Sequence, residues 1–257
     1  MSESACPQCG GTGWRIVEHD GLSGAERCEC GATRRARRIE DRANIPPLYQ
    51  NAAFDNFSTP RDNPIAESAI RQLLVTVRSY AREFPLTEKP GLLFIGDPGT
   101  GKTHLAVATL RSLIAKGFEG IFYDYQNLLD RIRSGYDKNS GFSDKEAYRA
   151  ALDSEVLLLD DLGAHRVTDW VIDTVTSIIT YRCNNRKPLI ATTNLPDPDA
   201  GQTIVERTAT GMEYRDTLGK LVGMRARSRL FEMCRIVRMP AIEDYRLKRV
   251  TVPQRSQ

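Results

Sequence analysis

No apolar run in the 257 residues reaches the roughly 18 needed to span a bilayer, and the opening MSESACPQCG lacks the apolar core of a secretory signal. A cytoplasmic location with no membrane partner is the expectation. Histidine is scarce: His19, His104 and His165 are the three. None stands at the spacing of a metal-ligand pair or of a nucleophile–base–acid set, so none is given acid–base work. Net charge is low, at a formal +3, so the chain as a whole is no polycation. Its basic residues are nonetheless uneven, because residues 219–257 hold ten Lys or Arg against three Asp or Glu. Such a concentration suits a phosphate-bearing partner and equally suits a solvated face. With 40% hydrophobic and 27% charged residues, the chain has room for one domain of about 150–200 residues and a small appendage.

Cysteine is scarce too, yet four of the six fall in the first 30 residues. Cys6 and Cys9 form a C-x2-C pair, and Cys28 and Cys30 a C-x-C pair eighteen residues on, across a glycine-rich stretch with Gly10, Gly11, Gly13, Gly21 and Gly24. In a reducing compartment this reads as two knuckles holding zinc through four thiolates. Uncoordinated thiols and an iron–sulfur cluster are the alternatives. So short a segment with so few apolar residues needs a metal to fold. Cys183 and Cys234 stand among apolar neighbours and read as packing residues. Arg34, Arg35, Arg37, Arg38 and Arg42 then form a short exposed helix or linker, which either contacts phosphates or is simply solvated. Pro46 and Pro47 end it, and Phe54, Phe57 and Pro60 read as a segment pinned by its aromatics onto the domain C-terminal to it.

The most informative stretch is Gly96, Asp97, Pro98, Gly99, Thr100, Gly101, Lys102, Thr103 and His104. It follows the apolar run GLLFI and precedes LAVA, which places a G-x4-GKT loop between a buried strand and a helix. The glycines let backbone N–H groups converge on an anion at the positive end of the helix dipole. Lys102 is placed to reach the β- and γ-phosphates and Thr103 to ligate Mg²⁺. A glycine-rich turn that merely joins strand to helix is the plain alternative. Farther on, VLLLDD (156–161) is an apolar run ending in Asp160 and Asp161. A parallel strand would deliver Asp160 to the same sheet edge to hold the Mg²⁺ shell, with Asp161 placed to polarise a water. Residues 188–194 read as another buried strand, with Asn194 at its tip to bind the γ-phosphate or the attacking water. The sequence Asn194-Leu195-Pro196-Asp197 lacks the lysine of a guanine-reading box, which favours ATP. Helical spacing predicts helices over 67–84, 102–116, 127–136, 168–185 and 217–233, and a strand over 234–239. Arg131, Arg133 and Tyr136 are candidates for a nucleic-acid strand.

Together GDPGTGKTH, VLLLDDLG, ATTN and residues 218–249 resemble the AAA+ ATPases of the DnaC/DnaI helicase-loader and IstB group, over about residues 45–250. CPQCGGTGW followed by ERCEC is similar to the zinc-bearing N-terminal domain of DnaI-like loaders. The resemblance implies an α/β P-loop NTPase fold of AAA+ type, a parallel sheet flanked by helices, preceded by a small zinc-binding domain. It divides the chain into a zinc-binding N-terminal domain with its arginine-rich linker (1–45) and an ATPase domain (46–257). It implies ATP, Mg²⁺ and Zn²⁺ as cofactors, and a homo-oligomeric ring or spiral with ATP between subunits. The implied partners are the replicative helicase and single-stranded DNA. By the same resemblance Lys102 and Thr103 take the Walker A positions, Asp160 and Asp161 the Walker B pair, and Asn194 sensor 1. Arg229 takes the arginine-finger position toward a neighbouring subunit, with Arg225 and Arg227 as competitors, and Arg246 the sensor 2 position. Asp161 departs from the more usual Glu, and a shorter acid suits slow hydrolysis. The rival readings are an IstB-like transposition regulator, and a zinc adaptor that binds ATP without turning it over.

Overall fold

The computed structural model describes residues 6–19, 22–60, 63–134, 143–208, 211–242 and 244–245. Strands β1 (Trp14–His19) and β2 (Leu22–Arg27) form an antiparallel hairpin in register from Trp14↔Arg27 to His19↔Leu22. Helix α1 (Cys30–Arg42) comes next, then α2 (Pro64–Glu83), whose first turn is capped by Asn63 Oδ1 accepting from Ala66 N at 3.0 Å. The remaining elements are β3 (Gly91–Ile95), α3 (Lys102–Ala115), β4 (Gly120–Asp124), α4 (Tyr125–Ser134), α5 (Ser143–Asp153), β5 (Val156–Asp160), α6 (Asp169–Asn184) and β6 (Leu189–Thr193). A second hairpin, β7 (Val205–Thr208) and β8 (Gly211–Tyr214), leads to α7 (Leu218–Val222), α8 (Met224–Met233) and β9 (Cys234–Arg238).

The central sheet has the order β4-β5-β6-β3-β9 and every pairing in it is parallel. Each residue of β3, β5 and β6 is buried, as expected of strands covered by helices on both faces. Alternation along the strands divides the core. Leu92, Phe94, Leu158 and Ile190 face the layer of α2 and α3, whereas Leu93, Ile95, Leu157, Leu159 and Ala191 face that of α4, α6, α7 and α8. Because the strands are parallel, the loops after β3, β5 and β6 emerge together at one edge, where strand order reverses.

Three local findings bear on the sequence-based expectations. The helix expected over 217–233 is broken at Gly223, whose φ of +89° a side chain rarely adopts, into α7 and α8. Of the two readings of the arginine-rich stretch, the structure has the helix, and it is anchored: Glu40 on α1 accepts from Arg111 Nε of α3 at 2.5 Å, and the Ala43 carbonyl accepts from Phe122 N of β4 at 2.7 Å. Phe57 packs edge-on against His104 at 5.4 Å, as a pinned aromatic should. On the opposite layer Arg182 of α6 is wholly buried. Its guanidinium donates to the carbonyls of Ala151 (2.9 Å), Ser154 (3.1 Å) and Pro188 (2.6 Å), and burial pulls its pKa down to about 10. It thereby occupies carbonyls that the end of α5 would otherwise leave without donors.

Candidate active site and cysteine cluster

The loop between β3 and α3 turns on Gly99 (φ +73°) and Gly101 (φ +91°). A Cβ at Gly99 would strike the Asp244 carboxylate, and one at Gly101 would lie 2.5 Å from Phe57 Cε2. Glycine is therefore required there by conformation and by space. Thr100 Oγ1 and Lys102 Nζ both donate to the Asp97 carbonyl, at 2.8 and 2.7 Å, which folds the nearly buried lysine into the concavity. Gly96 N donates to the Thr193 carbonyl at 3.4 Å, tying the loop to the end of β6. Asp97 and Pro98 stand exposed at the rim. His104 is turned toward the 53–57 segment, its Nε2 2.9 Å from the Ala53 carbonyl.

Asp160 ends β5 with 7% exposure, and its pKa is raised to about 6. Burial is the largest cause, and the neighbouring carboxylates of Asp161 and Asp124 add to it; hydrogen bonds with the hydroxyls of Thr192 and Thr103 work the other way. A buried acid beside two further acids and a loop hydroxyl carries more negative charge than its surroundings offset. This oxygen-rich set fits a hard divalent cation such as Mg²⁺. Asp161 lies at φ +54°, a strained value for a residue with a side chain. Its amide donates to Thr192 Oγ1 at 2.9 Å while Thr192 Oγ1 donates to Asp160 Oδ1 at 2.6 Å. Asn194 Nδ2 donates to Asp161 Oδ1 at 3.2 Å. Lys102, Thr103, Asp160, Asp161 and Asn194 are thus gathered at one edge of the sheet.

Sequence reasoning passed over three residues at this edge. Thr192 links the two acids, Asp124 adds charge beside Asp160, and Arg215 bonds Asp97 Oδ1 at 3.1 Å and the Asn194 carbonyl at 3.3 Å. Only β6's polar end hinted at Thr192; nothing in the order of residues pointed to the other two.

The arginines of α8 separate. Arg227 is held by Asp197 and Asp199, both at 2.5 Å, and stacks on Phe231 at 4.6 Å. Asp197 is wholly buried, its carboxyl kept below the usual range by Arg227 against the opposing effect of burial. Arg229 pairs with Glu232 at 2.6 Å beside Cys183, and Arg225 is exposed. Arg246 lies outside the described residues; Tyr245 N, just before it, donates to the Gly99 carbonyl at 3.3 Å. Arg131 and Arg133 lie over the rings of Tyr123 and Trp170, at 5.7 and 4.6 Å, and Tyr136 is not among the described residues. Cys234 is fully buried and Cys183 half-buried, with both thiols pushed up by burial.

At the other end of the chain the sulfurs of Cys6, Cys9, Cys28 and Cys30 all lie within 4.8 Å of one another. Cys6–Cys28 is 3.9 Å and Cys9–Cys30 is 3.4 Å. Tetrahedral zinc with bonds of about 2.3 Å sets sulfurs about 3.8 Å apart, so the cluster fits that ion. The Gly13 amide donates to Cys9 Sγ at 3.3 Å and draws its pKa down to about 6, while the Cys9 and Cys28 thiols push Cys30 up to about 12. Crowded thiols that cannot all ionise alone are what a divalent cation relieves.

The strand–loop–helix cradle and the acids of the next strand but one, on a parallel sheet of this order, define a P-loop ATPase of the AAA+ class. The chain belongs to the family of IstB-like ATP binding proteins, whose model matches residues 28–215, and it lies within the DnaC/IstB group of that class. It is 26% identical over 199 residues to the phage-like element PBSX protein XkdC of Bacillus subtilis (strain 168), covering 74% of this chain and 71% of that one. It is 24% identical over 182 residues to the replicative helicase loader DnaC of Escherichia coli (strain K12), covering 71% of each. Among solved structures, a DnaC helicase loader superposes with a TM-score of 0.60 and 33% identity, over 76% of this chain and all of that one. DnaI shares the fold, with a TM-score of 0.55 at 19% identity, over 76% of this chain and 94% of that one.

Proposed function

We propose that this ATPase loads a replicative DNA helicase onto single-stranded DNA, with ATP hydrolysis as the release step. The observation that carries the reading is the likeness to the DnaC helicase loader over the whole of that structure, joined to a cysteine cluster in front of the ATPase core. Residues 1–45 form the zinc-bearing N-terminal unit that grips the helicase, and residues 46–257 the ATPase domain, with α1 bridging them.

In this reading Gly96, Pro98, Gly99, Thr100, Gly101 and the backbone of His104, whose ring is turned to Ala53 and Phe57, frame the nucleotide, Lys102 holds its β- and γ-phosphates, and Arg246 approaches from the C-terminal segment. Thr103 and Asp160 hold Mg²⁺, which supplies charge neutralisation on the phosphate oxygens. Asp161 accepts a hydrogen bond from the attacking water, and Asn194 fixes the Asp161 carboxylate. Arg229 serves a neighbouring copy: within its own chain it pairs with Glu232 on α8, while Arg227 is committed to Asp197 and Asp199. A homo-oligomeric ring or spiral is the assembly this requires. Single-stranded DNA would meet the groove of about 360 Å³ lined by Arg35, Arg38 and Arg42 on one face of α1. No ion pair holds these three among the described residues, and arginine forks suit phosphate oxygens. No helix among the described residues is long and apolar enough to cross a membrane, in keeping with a cytoplasmic site of action.

The test is transfer of the replicative helicase of the same source onto circular single-stranded DNA by the zinc-loaded full chain with ATP. Stable helicase capture and transfer are expected. Capture of a transposase on duplex DNA without helicase transfer would favour the transposition reading. Multiple-turnover phosphate release, abolished in Asp161→Asn, separates both from an adaptor that never turns ATP over. Arg229→Ala should keep ATP binding and lose about 10³-fold or more in cooperative hydrolysis. Binding lost along with turnover would show a local structural role instead.

A further inference from the structure

We propose that Arg215 is a nucleotide-sensing residue acting within its own chain: it reads the γ-phosphate and passes that reading to the β7–β8 hairpin. The inference rests on residues 96–104 being the phosphate loop and goes beyond it by adding an arginine that no motif contains.

Arg215 stands where three parts of the protein meet. Its Nη1 donates to Asp97 Oδ1 of the loop at 3.1 Å and its Nη2 to the carbonyl of Asn194 at 3.3 Å. Asn194 in turn donates its side-chain amide to Asp161. The backbone N–H of Arg215 donates to the Ile204 carbonyl at 2.8 Å, closing the ladder that pairs Val205 with Tyr214. One residue therefore joins the loop, the tip of β6 and the base of the hairpin. The partners are 118 and 21 residues away in sequence, which is why no local pattern announces them.

The ion pair between Arg215 and Asp97 is a weak one. Side-chain exposure is 33% for Arg215 and 55% for Asp97, and a pair so open to water adds little to stability. A terminal phosphate carries more charge and more acceptor oxygens than a carboxylate, and a guanidinium binds it through parallel hydrogen bonds. Lys102 Nζ rests on the Asp97 carbonyl and Arg215 on the carboxylate of the same residue, so a terminal phosphate taken by Lys102 comes within reach of Arg215. A diphosphate does not extend as far. Exchange of Asp97 for the γ-phosphate would move the guanidinium, and with it the residue that closes the hairpin. Met212 and Tyr214 of β8 are 75% and 79% exposed, so these two side chains offer little resistance to reorientation.

The test is the affinity of the full chain for a non-hydrolysable ATP analogue and for ADP by calorimetry, with hydrogen exchange of residues 205–214 in each complex. Arg215→Gln should weaken the analogue about tenfold while ADP stays within about twofold. It should also erase the difference in hairpin exchange between the two complexes, and Arg215→Lys should restore part of both. Equal loss of analogue and ADP would make Arg215 a brace for the loop and overturn the proposal, as would an unchanged ratio. A changed ratio with unaltered hairpin exchange would overturn the coupling. Lys102→Ala tests the underlying reading separately: undiminished binding of both nucleotides there would show that the loop is not the phosphate site, whatever Arg215 does.

Discussion

The phosphate loop and the cysteine hairpin are both glycine-rich turns that gather charged or ionisable groups, yet they are supported by opposite means. The loop stands on β3, whose Leu92, Leu93, Phe94 and Ile95 are wholly buried, and Asp160 arrives on β5, equally enclosed. The hairpin leaves Trp14 52% and Ile16 83% exposed and has no apolar interior among the described residues; four sulfurs are its centre. Hydrophobic burial prepares the first site before any ligand comes. In the second, four thiols stand where a core would be, and a metal ion held by them would take its place.

Metal removal should break this contrast most severely. Structural zinc contributes on the order of 10 kcal/mol, so chelation, or Cys6→Ser with Cys9→Ser, should unfold residues 6–28 and leave the main thermal transition in place. Proteolysis that remains slow within the hairpin after chelation would show that burial, not metal, sustains it.

Next in size is Arg182→Met, which leaves several buried carbonyls without a donor and should cost about 3–5 kcal/mol in denaturant unfolding. A loss under about 1 kcal/mol would mean that the α6 layer tolerates polar vacancies as freely as the hairpin tolerates exposure.

Asp160→Asn works in the other direction. Its carboxyl titrates near pH 6 in the folded chain against an ordinary value of 3.8, so the folded state binds the proton more tightly. Stability of the nucleotide-free protein should therefore fall as pH rises from about 4 to 6. The Asn variant should be more stable at about pH 7.5 by about 2 kcal/mol, with the gain vanishing near pH 4. A variant less stable at neutral pH would show that hydrogen bonding outweighs burial at this acid.

Smallest is Thr192→Val, which keeps shape but strands the Asp160 oxygen and the Asp161 amide. A loss of about 1–2 kcal/mol is expected, with turnover reduced more than nucleotide affinity, measured by steady-state phosphate release and calorimetry. Equal losses in both would assign Thr192 to the core alone.

What could be read from the residues in order divides along the same contrast. The strands were legible because burial on both faces leaves apolar runs such as VLLL, and the loop because its glycines answer to backbone geometry. Cysteine spacing announced the hairpin without any hydrophobic signal. The β7–β8 hairpin gave no sign because charged residues such as Glu206, Arg207 and Glu213 interrupt its apolar ones, and α7 and α8 merged because Gly223 sits inside an otherwise helical pattern. Thr192 was no more than hinted at, and Asp124 and Arg215 were invisible, for another reason. Their importance lies in neighbours brought close only when parallel strands align their ends.

Helix α1 gives the two regions a common mechanical frame. Its first residue is Cys30, one of the four clustered thiols, and near its last turn Glu40 grips Arg111 of the helix that opens at the phosphate loop. Thirteen residues make a rod of about 20 Å. Such a rod is a lever arm: a tilt of about 5° imposed at the cysteine end sweeps the other by nearly 2 Å, on the order of a hydrogen bond's reach. Whatever takes hold of the cysteine end of this protein has a handle on α3.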